Sequence, residues 1–140
     1  MNKLLLITLL AFSSQVYSFQ CPRDHSPESA YQKANVAYVA KINSVEFFKN
    51  VKDGKHAKYL LVKFDVVEKL KGKIQKSGEV LDVAGIGTGF VNFIPGGYYI
   101  ISHEEEKLIE GKQYVNMCDV LGVAFYLEDE MFVKTLEKLK

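Results

Sequence analysis

The amino-acid sequence predicts a mainly β fold, a small antiparallel barrel or sandwich with one helix near each end. Two observations indicate it. Five segments in the middle of the chain alternate apolar and polar residues or carry hairpin-like spacing, and a helical period appears only before and after them. The chain has 140 residues, of which 48% are hydrophobic and 25% charged, so one globular domain is expected.

The first helix is predicted to begin after Ser26 and to end near Lys33 or Ala34. Serine is a favourable N-cap, because its side-chain oxygen accepts a hydrogen bond from a free backbone N–H group. Pro27 suits the first helical position, and Glu28 suits the positive end of the helix dipole.

The predicted strands cover residues 35–45, 58–70, 78–83, 98–102 and 112–118, with a turn at Asp53-Gly54 and a bend over 93–97. A final helix is predicted over 128–140, since Phe132, Leu136 and Leu139 fall on one helical face. The positions predicted to be buried are Val36, Tyr38, Ile42, Leu60, Val62, Phe64, Val66, Leu81, Val83 and Ile100.

Residues 1–18 have the pattern of a secretory signal peptide. Lys3 precedes an apolar run over 4–12, and Val16 and Ser18 suit the −3 and −1 positions of a cleavage before Phe19. The run is too short to span a bilayer, which needs about 20 residues of helix. We therefore expect one mature domain over 19–140, secreted or periplasmic, with no membrane insertion after processing.

Cys21 and Cys118 are the two cysteines of the chain. Export places them in an oxidising compartment, where a disulfide persists, and each has the other as its possible partner. A disulfide between them is the favoured prediction. The alternative is two free thiols, one of them a nucleophile, and no histidine in a recognisable local context supports it.

Composition and motifs exclude several classes of function. Removal of Lys3 with the leader leaves 17 basic and 17 acidic residues, so a general nucleic-acid binder is not expected, and the lysines at 69, 71, 73 and 76 form only a local basic patch. The glycine-rich segment 85–90 precedes a loop and not a helix, so it is not predicted to bind phosphate. Nothing assembles a nucleophile, base and orienting group, so the prediction is that the protein is not an enzyme and uses no cofactor.

No metal site is predicted either. The histidines are far apart and lack metal-ligand spacing, and each is interpreted as a surface or loop residue. The acidic run over 104–106 lacks the alternating ligands of a calcium loop and is interpreted as a solvated surface. The residues concerned are His25, His56 and His103, together with Glu104, Glu105 and Glu106.

A set of short motifs resembles a known family. These motifs are Cys21, the segment 29–35 leading into 36–41, the strand end 68–72, the segment 93–101 and Cys118. Together they resemble the tissue-inhibitor-of-metalloproteinases and netrin-like modules, particularly single-domain bacterial relatives. The resemblance implies a five-stranded OB-type barrel with flanking helices, in agreement with the strand count.

The resemblance also implies a function. It indicates an exported, non-enzymatic module that binds another protein, with a protease as one candidate partner. The residues expected to contact the partner are Cys21, Pro22 and Arg23. In inhibitory relatives an N-terminal cysteine binds the protease's catalytic zinc through its α-amine and carbonyl oxygen. Cleavage before Phe19 leaves two residues ahead of Cys21 and blocks this chelation, and Pro22 departs from the small polar residue of the relatives. The prediction is therefore a relative of protease inhibitors that lacks zinc chelation.

Two alternatives stay open. An exported OB domain could bind oligosaccharides through an outward-facing aromatic, because aromatic rings offer stacking platforms. Strand alternation allows only one of Tyr98 and Tyr99 to face the core, and packing of the other under the C-terminal helix is favoured over a stacking role. The second alternative is a structural envelope protein whose loops meet a partner.

Overall fold

The computed structural model describes residues 21, 25–48, 58–84, 91–104, 108–109 and 111–140. Several sequence predictions lie outside these ranges. They concern the leader, Phe19, Pro22, Arg23, the Asp53-Gly54 turn, His56, the glycine-rich segment 85–90, Glu105 and Glu106.

The described chain contains two α-helices and seven strands. In order they are α1 (Pro27–Lys33), β1 (Val36–Phe48), β2 (Lys58–Lys71), β3 (Ser77–Ala84), β4 (Tyr98–His103), β5 (Leu108–Ile109), β6 (Lys112–Val115), β7 (Val120–Ala124) and α2 (Glu130–Leu139). A 3₁₀-helix, Met117–Asp119, separates β6 from β7. Each predicted strand and helix is present, with ends that differ by a few residues.

The strands form one sheet in the order β5-β6-β3-β2-β1-β4-β7. The prediction of a five-stranded antiparallel barrel is wrong in three respects: the sheet has seven strands, β3 pairs with β6 in parallel, and no ladder closes the described strands into a barrel. The additional strands are β5, a two-residue segment too short to show alternation, and β7, which pairs with β4. The parallel partner of β3 is β6, which the chain reaches only after it has formed β4 and β5. Local periodicity does not reveal such a crossover connection.

The sheet is strongly curved. The β1–β2 ladder has three register shifts, and such bulges increase the twist and bending of the strands involved. In a flat sheet β4 and β6 would lie about 19 Å apart, four strand spacings. Yet Gln113 Nε2 of β6 lies 3.4 Å from His103 Nδ1 of β4. Curling therefore brings these two strands together, although no ladder joins them among the described strands.

The concave face of the sheet holds the larger apolar cluster. Tyr38 and Phe64 stack with ring centroids 5.3 Å apart, and Phe93 lies against Tyr99 at 4.7 Å. The buried residues of this cluster come from β1, β2, β3, β4 and β6 as well as the 91–97 segment: Tyr38, Ala40, Ile42, Val62, Phe64, Val80, Phe93, Tyr99, Ile101 and Val115. Five strands thus share one interior.

The two helices cover part of the convex face. Ser26 caps α1 by accepting a hydrogen bond from Ser29 N at 3.1 Å, as predicted, and Asp129 caps α2 through Met131 N and Phe132 N. The second cluster joins helix residues to outward positions of β1, β4 and β7: Ala30, Val39, Ile100, Leu121, Ala124, Phe132 and Leu139. Both faces of β1 and β4 are therefore buried, which is why their burial does not alternate.

The predicted core positions divide into three groups. Buried as predicted are Tyr38, Ile42, Val62, Phe64, Leu81 and Ile100, although Ile100 belongs to the helix-covered face and not to the interior of Tyr38. Val36, Leu60 and Val66 are only partly buried, since they lie toward strand ends or beside the β1–β2 bulges. The side chain of Val83 lies outside the described part of the structure.

Candidate functional site

A disulfide joins Cys21 to Cys118 across 97 residues of sequence, with a Cα–Cα distance of 5.6 Å. Cys118 is held by a capping box: Asn116 Oδ1 accepts from Cys118 N at 2.8 Å, and Asp119 Oδ2 accepts from Asn116 N at 2.9 Å. The bond therefore attaches the segment before α1 to a turn that is closed by two hydrogen bonds. The sequence prediction of this disulfide agrees with the structure.

His25 lies beside the disulfide, a placement that sequence reasoning missed. Its Nε2 is hydrogen-bonded to the carbonyl oxygen of Cys118, and ligand atoms of Cys21, His25 and Cys118 lie within 4.8 Å of one another. Metal binding by cysteine requires thiolates, and here the two sulfurs are bonded to each other. The sequence signal for the proximity of His25 to the disulfide was its short distance along the chain, four residues after Cys21.

A polar cleft opens at the end of the concave face where β4 and β6 approach. It is lined by Asn35, Val36, Lys73, Ile74, His103, Glu104 and Gln113. Tyr38 Oη lies 3.1 Å from His103 Nε2, and His103 Nδ1 lies 3.4 Å from Gln113 Nε2. Gln113 Nε2 also donates to the Tyr114 carbonyl oxygen at 3.0 Å. His103, interpreted from the sequence as a surface or loop residue, is thus half-buried at the end of β4 and hydrogen-bonded on both ring nitrogens.

The direction of each hydrogen bond in the series Tyr38–His103–Gln113 follows from what the partners can donate and accept. The Tyr114 carbonyl can only accept, so the Gln113 amide nitrogen faces it and also donates toward His103 Nδ1. In neutral His103 the proton then lies on Nε2 and is donated to the Tyr38 oxygen. Burial raises the pKa of the Tyr38 hydroxyl, with a further contribution from the charge of Asp119, so that the phenol stays neutral. The sequence contained a signal for this burial, because His103 lies on the same face of its strand as the buried Tyr99 and Ile101.

An aromatic groove lies at the opposite end of β4 and β7. Its cavity of about 300 Å³ is lined by Lys41, Gly96, Tyr98, Phe125, Tyr126, Leu127 and Glu128. Phe125 and Tyr126 follow the last residue of β7, and 61% and 75% of their respective surfaces are exposed. Lys41 Nζ lies 5.8 Å from the centre of the Tyr98 ring, a cation–π contact. We name this set of residues the aromatic groove.

Tyr98 and Tyr99 lie on opposite faces of β4, as strand alternation predicts. Tyr99 is buried in the concave cluster, where its hydroxyl accepts a hydrogen bond from Ile94 N at 2.9 Å and supports the turn at Pro95-Gly96. Burial raises the pKa of this hydroxyl, partly offset by the Ile94 hydrogen bond. Tyr98 faces the helix side and packs against the second cluster, but it also lines the aromatic groove.

The lysines of the predicted basic patch have separate structural positions. Lys71 Nζ donates to the carbonyl oxygens of Tyr31 and Gln32 near the C-terminal end of α1, at 3.2 and 2.9 Å. Cations are favoured at that end of a helix, so Lys71 stabilises the fold. Lys73 lines the polar cleft instead. Lys71 and Lys73 therefore have different surroundings, although they are two residues apart.

No described helix has the length and apolar character required to cross a membrane. No protein-family model matches the chain, and no match was found among curated protein sequences.

Proposed function

We propose that this protein is an exported, non-enzymatic protein-binding module of the netrin-like type, and that the aromatic groove is its partner-binding surface. The family resemblance and the Cys21–Cys118 disulfide support the first part of the proposal. The exposed aromatic side chains that follow β7 support the second part of the proposal.

The exposure of Phe125 and Tyr126 is the main observation. Large aromatic side chains are stabilised by burial, and tyrosine, phenylalanine and methionine are enriched at the centres of protein interfaces. Met131, in the first turn of α2, is also 72% exposed. A protein partner that covered these side chains would gain apolar contact area while Lys41 and Glu128 supplied polar contacts at the groove.

The position of β7 adds a second reason to expect a protein or peptide. β7 is the last strand of the described sheet, bonded on one side to β4. An edge strand presents backbone N–H and C=O groups that an extended peptide can pair with. The aromatic groove lies at the C-terminal end of this edge, so backbone pairing and side-chain contact could occur together.

An oligosaccharide is the second candidate ligand, favoured by the contact between Lys41 and Tyr98. A sugar ring can stack on an aromatic face while a neighbouring charged group bonds its hydroxyls. Phe125 and Met131, however, offer no hydrogen bonds, and such apolar side chains suit a protein partner better.

The test uses the mature protein, residues 19–140, as bait for proteins exported by the same cell. A captured partner is purified, and its dissociation constant is measured by calorimetry against the wild type, the double variant Phe125→Ser/Tyr126→Ser and a control, Phe47→Ser. Phe47 is 78% exposed but lies six residues beyond Lys41 on β1, about 20 Å along the strand.

We expect the double variant to weaken binding by at least about 30-fold, the effect of losing interface residues worth about 2 kcal/mol. Phe47→Ser should leave affinity within about twofold. A partner that binds the double variant normally would contradict the proposal. Binding to a glycan array that Tyr98→Ala abolishes, without a protein partner, would favour the oligosaccharide alternative.

The zinc-chelating mode of inhibition is expected to be absent. N-terminal sequencing of the exported protein should identify Phe19 as the first residue, and the mature protein should not inhibit zinc endopeptidases. A first residue of Cys21, or inhibition at sub-micromolar concentration, would contradict this part of the proposal.

A further inference from the structure

We propose that the polar cleft beside His103 is a binding site for a small molecule that carries an α-carboxylate next to an N–H group. A free amino acid and the C-terminal residue of a peptide share this chemistry. The inference is independent of the aromatic groove, which lies at the other end of β4.

The size of the cleft suits one residue. Two adjoining cavities of about 300 and 370 Å³ share Lys73, Ile74, His103 and Gln113. Small-molecule sites in proteins begin at about this volume. Val36 and Ile74 provide an apolar wall, and the Tyr38 and Phe64 rings contribute buried apolar surface. A short aliphatic side chain fits such surroundings.

The charges of the cleft favour a carboxylate beside a donor group. Glu79 lines the cleft but is paired with Lys112 at 2.5 Å, so its charge is balanced. Lys73 and Glu104 also line the cleft, and neither has an ion-pair partner in the part of the chain that the structure describes. Lys73 can therefore bind a carboxylate, and Glu104 can accept from an ammonium group.

Gln113 supplies an acceptor whose orientation is determined by the protein. Both N–H groups of its amide are directed to protein acceptors, the Tyr114 carbonyl and His103 Nδ1. Its Oε1 forms no hydrogen bond within the described residues, and it remains available to accept from an N–H group of a ligand. An anion alone would leave this acceptor without a partner, which is why the ligand is expected to carry a donor.

The walls of the cleft are held in place before any ligand binds. The Tyr38 ring is stacked on Phe64, and the Tyr38 hydroxyl is bonded to His103. Gly78 allows this packing, because a Cβ atom at that position would lie 2.8 Å from Phe64 Cζ. A site whose polar groups are already positioned loses less conformational entropy on binding.

The test measures binding of four related compounds to the mature protein by calorimetry and by ligand-observed NMR. They are valine, N-acetylvaline, valinamide and isovalerate. Valine or N-acetylvaline should bind, valinamide should bind at least tenfold more weakly because it lacks the carboxylate, and isovalerate should bind more weakly because it lacks the N–H donor. Preference for valine indicates a free amino acid, and preference for N-acetylvaline indicates a peptide end.

Matched variants localise the binding. Lys73→Met should weaken binding about tenfold, whereas Lys76→Met, which changes a lysine of the same loop outside the cleft, should not. Ile74→Trp should block binding by filling the cleft, and circular dichroism checks that each variant is folded. Absence of binding of all four compounds at a concentration of about 10 mM would overturn the proposal. Equal affinity of valinamide, or equal effects of Lys73→Met and Lys76→Met, would do so as well.

Discussion

Tyr38 combines structural and polar roles in one side chain. Its ring is buried against Phe64, and its hydroxyl begins the hydrogen-bond chain to His103 and Gln113. Sequence alternation placed Tyr38 in the core, but the partner of its hydroxyl lies 65 residues away. The burial could therefore be predicted from the sequence, whereas the hydrogen bond could not.

The raised pKa of Tyr38 predicts a loss of stability in alkaline solution. An unfolded tyrosine releases its proton near pH 10, whereas the folded chain retains it at that pH. The contribution is fully present below pH 10, and the free energy of unfolding should then fall by up to about 1.4 kcal/mol per pH unit for this group. Urea unfolding between pH 8 and 11 measures the slope. Tyr38→Phe should reduce it, leaving contributions from Tyr99 and Tyr114, whose pKa values are also raised by burial. An unchanged slope would contradict this assignment.

Substitution of Phe64 tests which face of β2 points into the core. Phe64→Ala should lower the free energy of unfolding by about 3–5 kcal/mol, because it removes a buried ring and leaves a cavity beside Tyr38. Phe47→Ala, at an exposed position of β1, should change it by less than about 0.5 kcal/mol. Urea denaturation compares the two variants, and similar effects would mean that the faces are reversed.

At the scale of elements, the ends of strands and helices depend on local chemistry and on close approaches between segments. The caps at Ser26 and Asp129 follow from residue type and position. The end of β2 has a different cause. Gly72 has a φ of +74°, and a Cβ atom there would lie 2.2 Å from the carbonyl oxygen of Asn35. This glycine is required by the chain that enters β1.

A comparison of Gly72 and Gly111, which have similar φ angles, distinguishes the cost of backbone strain from the cost of steric overlap. Gly111 has a φ of +77°, but a Cβ atom there would meet nothing within 4 Å. Gly111→Ala should therefore cost about 1–2 kcal/mol, the strain of a left-handed conformation. Gly72→Ala should cost clearly more, because it adds the overlap with Asn35. Thermal unfolding of both variants measures the difference, and equal costs would show that the β1–β2 segments can separate easily.

For the whole molecule, the disulfide is the connection with the longest sequence separation. It joins the segment before α1 to the turn between β6 and β7. In the chain-entropy account, a cross-link across about 100 residues stabilises a fold by up to about 4.7 kcal/mol, because it restricts the unfolded chain. The helices and the sheet are also connected through their shared apolar cluster.

Loss of the disulfide should destabilise the protein without changing its topology. Cys118→Ser should lower the free energy of unfolding by about 2–5 kcal/mol. Intact mass after alkylation of the native protein should show no modified cysteine, and two modified cysteines would contradict the bond. A reductant should destabilise the wild type but not the double variant Cys21→Ser/Cys118→Ser, which serves as the control.

The sequence by itself determined the mainly β class, the two helices, five of the seven strands and the pairing of Cys21 with Cys118. These features depend on periodicity, on caps within a few residues, or on there being two cysteines in the chain. The parallel β3–β6 pair, the strand β7, the hydrogen-bond partners of His103 and the aromatic groove were decided only by the tertiary structure. They depend on how a bulged sheet curls and brings together residues distant in sequence, and local patterns carry no information about that geometry.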